Sequence, residues 1–464
     1  MNSVRLSSSF RDPCGFVFCC EGLYYRQINR AGQADYDALM NSGLYKSLVD
    51  SGLLLAHVEV EPDRLGDGPT KDLLYKIIKP QQLDFISYPW EWSFSQLQDA
   101  ALATLQIQKL AMRHGMTLKD SSAFNLQFVA ARPVFIDTLS FEIMQPGNPW
   151  VAYRQFCQHF LAPLALMSRV DSRLLQLFKN NLDGIPLDLA SRLLPLRSWL
   201  SFSLLTHIHL HARTQRHFAA RQVSVATGKM SHNALMGLID SLESGVLACR
   251  APGGSTEWGD YYSDTNYSAT ALQSKSEIVA EFIEKSAVRG QAWDLGANTG
   301  LFSRLAVAAG LRTVAFDIDP AAVEKNYRQC RDNGEKLLLP LLQDLTNPSP
   351  ALGWGNRERQ SLIERGPADL VMALALIHHL AIANNLPFAY IGAFLADLCR
   401  CLIVEFVPRS DSQVQRMLAT REDIFTGYTQ AEFEKEFSPY FKILASRKVA
   451  DSERILYLMQ KSDQ

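Results

Sequence analysis

From residue 292 onward, short apolar runs alternate with longer stretches whose apolar positions recur at helical spacing. This is the form that a β-α-β succession and a mostly parallel sheet take in a sequence. The apolar runs predict strands at 292–295, 313–317, 337–342, 369–374 and 402–406, and amphipathic stretches at 300–309, 320–330 and 387–400 predict helices between them. Two further runs, 441–445 and 455–459, are joined by a polar segment too short for a crossover helix, so they are expected to form an antiparallel hairpin. A helix at 275–287 leads into the first strand, and the Gly-, Tyr- and Pro-containing stretch 251–270 marks the boundary before it. Upstream, strands at 53–60 and 75–78, a helix at 96–113 and a strand pair at 125–128 and 134–136 read as α+β, while 150–248 reads as mainly helical. The expected organisation is an α+β then helical region over 1–222, a linker helix over 223–249 and an α/β domain over 250–464.

Length agrees with this division, since 464 residues exceed what one hydrophobic core usually organises. A hydrophobic content of 47% with 20% charged residues belongs to a globular chain rather than a disordered one. The formal net charge of −2 supplies no long-range positive field, so a nucleic-acid substrate is not expected. The eight cysteines contain no C-x-x-C pair, which argues against structural zinc and a disulfide scaffold and for free thiols in a reducing cytoplasm. The apolar stretch 14–20 is short and flanked by Asp12 and Glu21, unlike a signal peptide. No uncharged apolar run approaches the length of a bilayer span, and 193–210 is interrupted by Arg197.

The strongest local signal is Asp294-Leu295-Gly296-Ala297-Asn298-Thr299-Gly300, a strand end running through a glycine-containing turn into a helix. Gly296 lets the backbone turn tightly close to a ligand, and Gly300 lets the following helix pack near the strand. Asp317 follows 23 residues after Asp294, at the end of the next strand, where an ionised carboxylate can accept from both hydroxyls of a ribose. The third strand ends at Gln343-Asp344, where the carboxylate of Asp344 can accept from an adenine amino group.

Together with Phe316-Asp317-Ile318-Asp319-Pro320 and Asp344, this turn resembles the first three motifs of class I S-adenosylmethionine-dependent methyltransferases, over roughly residues 250–464. The resemblance implies a Rossmann-like seven-stranded sheet ending in an antiparallel hairpin. It implies S-adenosylmethionine as the methyl donor, with Asp294, Gly296, Asn298 and Gly300 at its methionine part. Asp317 would bind the ribose, with Asp319 a near alternative, and Asp344 the adenine. A dinucleotide-binding dehydrogenase also pairs a glycine turn with a later acid, but the first glycine of its G-x-G-x-x-G would fall at Asp294, where a carboxylate opposes a pyrophosphate. A ligand-free structural turn is the plain alternative.

After the fourth strand comes Ile377-His378-His379-Leu380, where that family's substrate-facing loop would sit. Either histidine can serve as general base, or both can brace the following helix. Glu405 ends the fifth strand at the same face and is read as a substrate-binding residue, against a salt bridge to Arg409. Trp258-Gly259-Asp260-Tyr261-Tyr262 and Tyr267 precede the first motif, where a segment can fold over the cofactor; Tyr262 and Tyr267 are candidate substrate contacts.

In the N-terminal half, Asp120, Asn125 and Asp137 are spaced like the catalytic loop and metal-binding aspartate of kinase-like phosphotransferases, with Lys76 as the phosphate-contacting lysine. Leu118 stands where that family has histidine, Thr138-Leu139 follows Asp137, and no glycine-rich loop precedes Lys76, so the resemblance implies a degenerate kinase-like domain. His207, His209, His211 and His217, with Arg213, Arg216 and Arg221, read as a basic, partner-facing helix rather than a metal site, one that could also touch a membrane surface or an acidic partner. The two halves together resemble bacterial nodulation-related or uncharacterised methyltransferases. The acceptor is left open among small molecules, glycans and proteins. A non-catalytic adapter and a bifunctional phosphotransferase are the competing readings.

Overall fold

The computed structural model describes residues 3–62, 72–213, 229–253, 268–419 and 422–462. The chain divides into two compact units, Met1–Gly253 with Leu352–Arg359, and Gly254–Ala351 with Gln360–Gln464.

In the first unit, strands β1 (Ser3–Arg5), β2 (Gly15–Cys20), β3 (Leu23–Asn29), β4 (His57–Val60) and β5 (Leu74–Pro80) form an antiparallel sheet in the order β1-β2-β3-β5-β4. The apolar stretch 14–20 therefore becomes a strand, and β2 turns into β3 across Glu21 and Gly22, both at positive φ. The run expected as a strand over 53–60 starts pairing in the sheet only at His57. Its apolar beginning, Leu53-Leu54-Leu55, is buried against Phe135 of β8 (Arg132–Phe135), which pairs with β7 (Leu126–Val129) as expected. β6 (Met116–Leu118) pairs with β9 (Phe141–Ile143). The helix Phe94–Arg113 begins with a capping box, Ser93 accepting from Gln96 N and Gln96 returning to Ser93 N, and buries its apolar stripe.

Beyond Ile143 the described part of this unit is helical, but His207 and His209 do not face outward. His207 lies between the hydroxyls of Tyr153 (2.8 Å) and Ser241 (2.9 Å), and His209 between those of Ser191 and Ser198 (2.8 Å each). Both are buried, and burial pushes their pKa down. The apolar spacing of 204, 208 and 212 turns this side inward, so the expectation of a partner-facing histidine surface is corrected: the rings brace the core by hydrogen bonds. His217, Arg216 and Arg221 lie outside the described residues.

In the second unit, β10 (Gln291–Leu295), β11 (Arg312–Asp317), β12 (Leu338–Leu342), β13 (Ala368–Ala373), β14 (Cys399–Phe406), β15 (Phe441–Lys448) and β16 (Ile455–Lys461) form a seven-stranded sheet in the order β12-β11-β10-β13-β14-β16-β15. The first five strands are parallel and the last two are the antiparallel hairpin. The strand order reverses at β10, where the chain goes outward to β12 and then returns to β13 on the other side. Such a switch point leaves a crevice at the carboxyl ends of the strands. The helix expected from 300 begins at Ser303, because Asn298 and Gly300 at positive φ hold the preceding residues in a turn. Ala271, Ile278, Val279 and Phe282 of the helix Ala269–Lys285 pack on Leu370, Met372, Ile403 and Leu458 of the sheet. All eight cysteines are free, and no helix among the described residues is long and apolar enough to cross a membrane.

Candidate active site

β10 brings the buried Asp294 to the switch point, where Ser303 Oγ donates to its Oδ2 (2.6 Å). Past Leu295 the backbone reverses at Gly296 (φ 78°), and the N–H groups of Gly296 and Ala297 both donate to Phe316 O (2.9 Å each), tying the turn to β11. Asn298 N then donates to Asp317 Oδ2 (2.7 Å), and Asp319 N to Asp317 Oδ1 (2.8 Å). The carboxylate of Asp317 is thus held in place by two backbone donors at the mouth of the crevice. Gly300 sits at φ 80°, which favours glycine, and its close neighbours are the side-chain ends of Asn326 and Arg304, since a Cβ there would meet Asn326 Nδ2 at 2.6 Å.

Asp294, Gly296, Asn298, Asp317, Asp344 and His379 line one cavity of ≈ 240 Å³. Gly300, Asp319, His378 and Glu405 stand outside its lining. Asp319 is the N-cap of the helix Pro320–Asn333, its Oδ1 accepting from Ala321 N (2.8 Å). Asp344 follows β12 and accepts from Thr346 N and Oγ1 (2.9 and 2.7 Å), which shapes the wall at that end. Tyr262 and Tyr267, with Trp258, Gly259, Asp260 and Tyr261, lie outside the described residues.

Burial pushes the carboxyls of Asp294 and Asp317 up, each to about 6, even though hydrogen bonds to the ionised forms oppose the shift. Two buried carboxylates whose charge is costly in the free protein form an acceptor set suited to a ligand that brings hydroxyl donors and positive charge. Burial likewise lowers His379 to about 4 and His378 well below its ordinary value, so both rings are neutral at pH 7. Their centroids are 4.3 Å apart, with His379 on the cavity wall and His378 buried beside it.

Lys275 was not anticipated as a site residue. It sits in the apolar stripe of the helix Ala269–Lys285 between Ala271 and Ile278, and it lines the cavity. Its Nζ donates to Glu405 Oε2 (2.7 Å), and the same oxygen accepts from Ala375 N (2.7 Å). Glu405 is fully buried, and Arg454, which approaches its Oε1 at 3.9 Å, is held by Asp411 (2.7 Å). The salt bridge of Glu405 is therefore with Lys275, whereas Arg409 pairs with Asp423. The sequence carried a signal for this pair: one lysine in an apolar helical stripe and one glutamate in the apolar strand Cys399–Phe406, charges that the interior tolerates only when matched.

In the first unit, Arg26 of β3 reaches Asp137 at 2.7 Å, and Lys76 pairs with Glu59 of the neighbouring strand. Asn125 Nδ2 donates to Ser140 Oγ (3.1 Å), and burial raises the pKa of Asp120. Among the described residues, no group of His, Cys, Asp and Glu side chains is arranged to hold a metal ion.

No protein-family model matches the chain. It is 36% identical over 468 residues to the nodulation protein NoeA of Rhizobium meliloti (strain 1021), a match that spans 99% of this chain and 96% of that protein. The chain belongs to the NoeA family. Solved structures similar to part of this NoeA-family chain include a magnesium protoporphyrin IX methyltransferase from Synechocystis PCC 6803 with bound SAH, 18% identical, covering 44% of this chain and 93% of its own, at a TM-score of 0.33. Another is the PH0226 protein of Pyrococcus horikoshii OT3, 17% identical, covering 45% and 100%, at 0.32. The N-methyltransferase NodS of Bradyrhizobium japonicum WM9 is 10% identical, covering 42% and 98%, at 0.29.

Proposed function

We propose that the protein transfers a methyl group from S-adenosylmethionine to an acceptor heteroatom. The reading rests on one observation: the Asp294–Gly300 turn, Asp317 and Asp344 meet around a single cavity at the strand switch point of a hairpin-ended sheet. When bound, S-adenosylmethionine supplies a sulfonium methyl group open to nucleophilic attack. In this reading Asp317 accepts from the ribose hydroxyls and Asp344 from the adenine amino group. Asp294 and the backbone of Gly296 and Asn298 face the methionine part, and the ammonium of Lys275 faces its carboxylate. Gly300 permits the turn, and Asp319 caps the helix that follows Asp317.

Methyl transfer needs in-line placement more than proton transfer. Where the acceptor loses a proton, the neutral ring of His379 on the cavity wall takes it, with His378 packed beside it as a positioning residue. Glu405 acts on substrate binding through the lysine it holds, and Tyr262 and Tyr267 contribute from the segment before the first motif. The acceptor is a small molecule, a glycan or a protein, and the cytoplasm is the proposed location. The region 1–222, within the first unit, supplies acceptor recognition as a degenerate kinase-like domain. Its Asp137 is engaged by the Arg26 guanidinium, which argues against phosphoryl transfer.

Calorimetric titration with S-adenosylmethionine and S-adenosylhomocysteine tests the reading, with Asp317→Ala as control. Micromolar binding that the variant loses supports it. Absence of binding to folded wild-type protein overturns it in favour of a non-catalytic adapter.

A further inference from the structure

The first unit carries a surface that this reading leaves unused. In the short helical turn Leu196–Leu200 and the residues after it, Leu196 is 86% exposed, Leu200 89% and Phe202 73%. Leu193 and Leu210 are exposed nearby, interleaved with the exposed Arg192, Arg197 and Arg213. Three bulky apolar side chains almost wholly in water within seven residues are uncommon on a soluble surface.

The turn is braced from beneath. Ser198 is buried against His209 (2.8 Å), and Trp199 is held between the His209 ring (centroids 4.2 Å, 12° interplanar) and the Arg213 guanidinium (4.6 Å from the ring centroid). The leucines therefore point outward from a fixed base, and little order remains to be imposed when they are buried.

Charge decides what covers them. Over the described residues 189–213 the chain has no Asp or Glu and three arginines, Arg192, Arg197 and Arg213, of which Arg192 lies 4.0 Å from Asp188, in a protein whose net charge is −2. Separate, highly exposed apolar side chains on a short turn, interleaved with exposed arginines, match the boundary between headgroups and acyl chains. There leucine and phenylalanine enter the hydrocarbon while arginines stay with the phosphates.

We propose that this turn docks the protein onto an anionic lipid surface, with Leu196, Leu200 and Phe202 inserted and Arg192, Arg197 and Arg213 on the headgroups. This surface is independent of the methyl-donor site, so each proposal stands or falls without the other.

Flotation of the full-length protein with phosphatidylcholine vesicles, with and without phosphatidylglycerol, tests it. The expected result is binding that requires phosphatidylglycerol, weakens at high salt and falls about tenfold or more in L196S/L200S, with a smaller loss in R197E. These side chains are exposed, so thermal melting is expected to show unchanged folding in both variants. Absence of binding to the anionic vesicles, or binding that L196S/L200S leaves intact, overturns the proposal. It is also overturned if sedimentation shows a self-associated protein that L196S/L200S converts to monomer, which would make a second copy the occupant.

Discussion

Asp317 and Asp294 give opposite pH signatures to the free protein and to the complex. Both folded-state pKa values are raised from 3.8 to about 6, so between these values the folded protein holds protons that the unfolded chain has lost. Stability of the free protein is therefore expected to fall as pH rises through that window, as thermal melting across pH would record. Affinity for S-adenosylmethionine, which needs the ionised carboxylates, is expected to move the other way. It should be full at about pH 7 and above and drop up to about tenfold per pH unit per carboxylate below about 6, with a flatter calorimetric profile in Asp317→Asn. Lys275 and Glu405 make a second test at this scale. Lys275→Met leaves a buried carboxylate without its ammonium and should cost about 3–5 kcal/mol in denaturant unfolding, while K275M/E405Q recovers part of the loss.

Among the elements, the helix Pro320–Asn333 separates two roles that lie close together in the sequence. Asp319 is its N-cap, so Asp319→Ala should cost about 1 kcal/mol of stability while leaving cofactor affinity near that of the wild type. Asp317→Ala should instead abolish binding. If calorimetry finds the same loss of affinity for both, the ribose role assigned to Asp317 alone is wrong. The five parallel strands of the second unit were legible because each is a short apolar run largely buried on both faces, between helices with an apolar stripe, whereas the edge strand Phe441–Lys448 is mostly exposed. β2 and β3 lie outside the sequence expectations because their two-residue turn puts Glu21 as well as Gly22 at positive φ, a conformation that glycine signals and glutamate does not.

The whole molecule is not two consecutive pieces. Leu352–Arg359 belongs to the first unit although it lies between β12 and β13 in sequence. There Glu358 pairs with Arg11 (2.7 Å) and the Arg359 guanidinium stacks over Phe124 (4.2 Å). Cutting the gene at the 253/254 boundary should therefore give an N-terminal fragment missing these partners. It should melt at lower temperature or aggregate, and a fused or added peptide spanning 352–359 should restore it in part, as calorimetric scans of the fragments would record.

The sequence by itself determined the order of the seven strands from β10 onward, the hairpin at the end and the glycine turn with its carboxylates at the strand ends, but not the helices Ser412–Ala419 and Gln430–Phe437. Local periodicity and a tight turn are properties of neighbouring residues, and the parallel sheet leaves few ways to arrange them. Only the tertiary structure decided that Glu405 pairs with Lys275, 130 residues away, and that Arg26 reaches Asp137. It also decided that His207 and His209 turn inward, and that 352–359 folds with the N-terminal unit. A buried charge or ring must find its partner somewhere in the interior, but which partner depends on how distant elements pack.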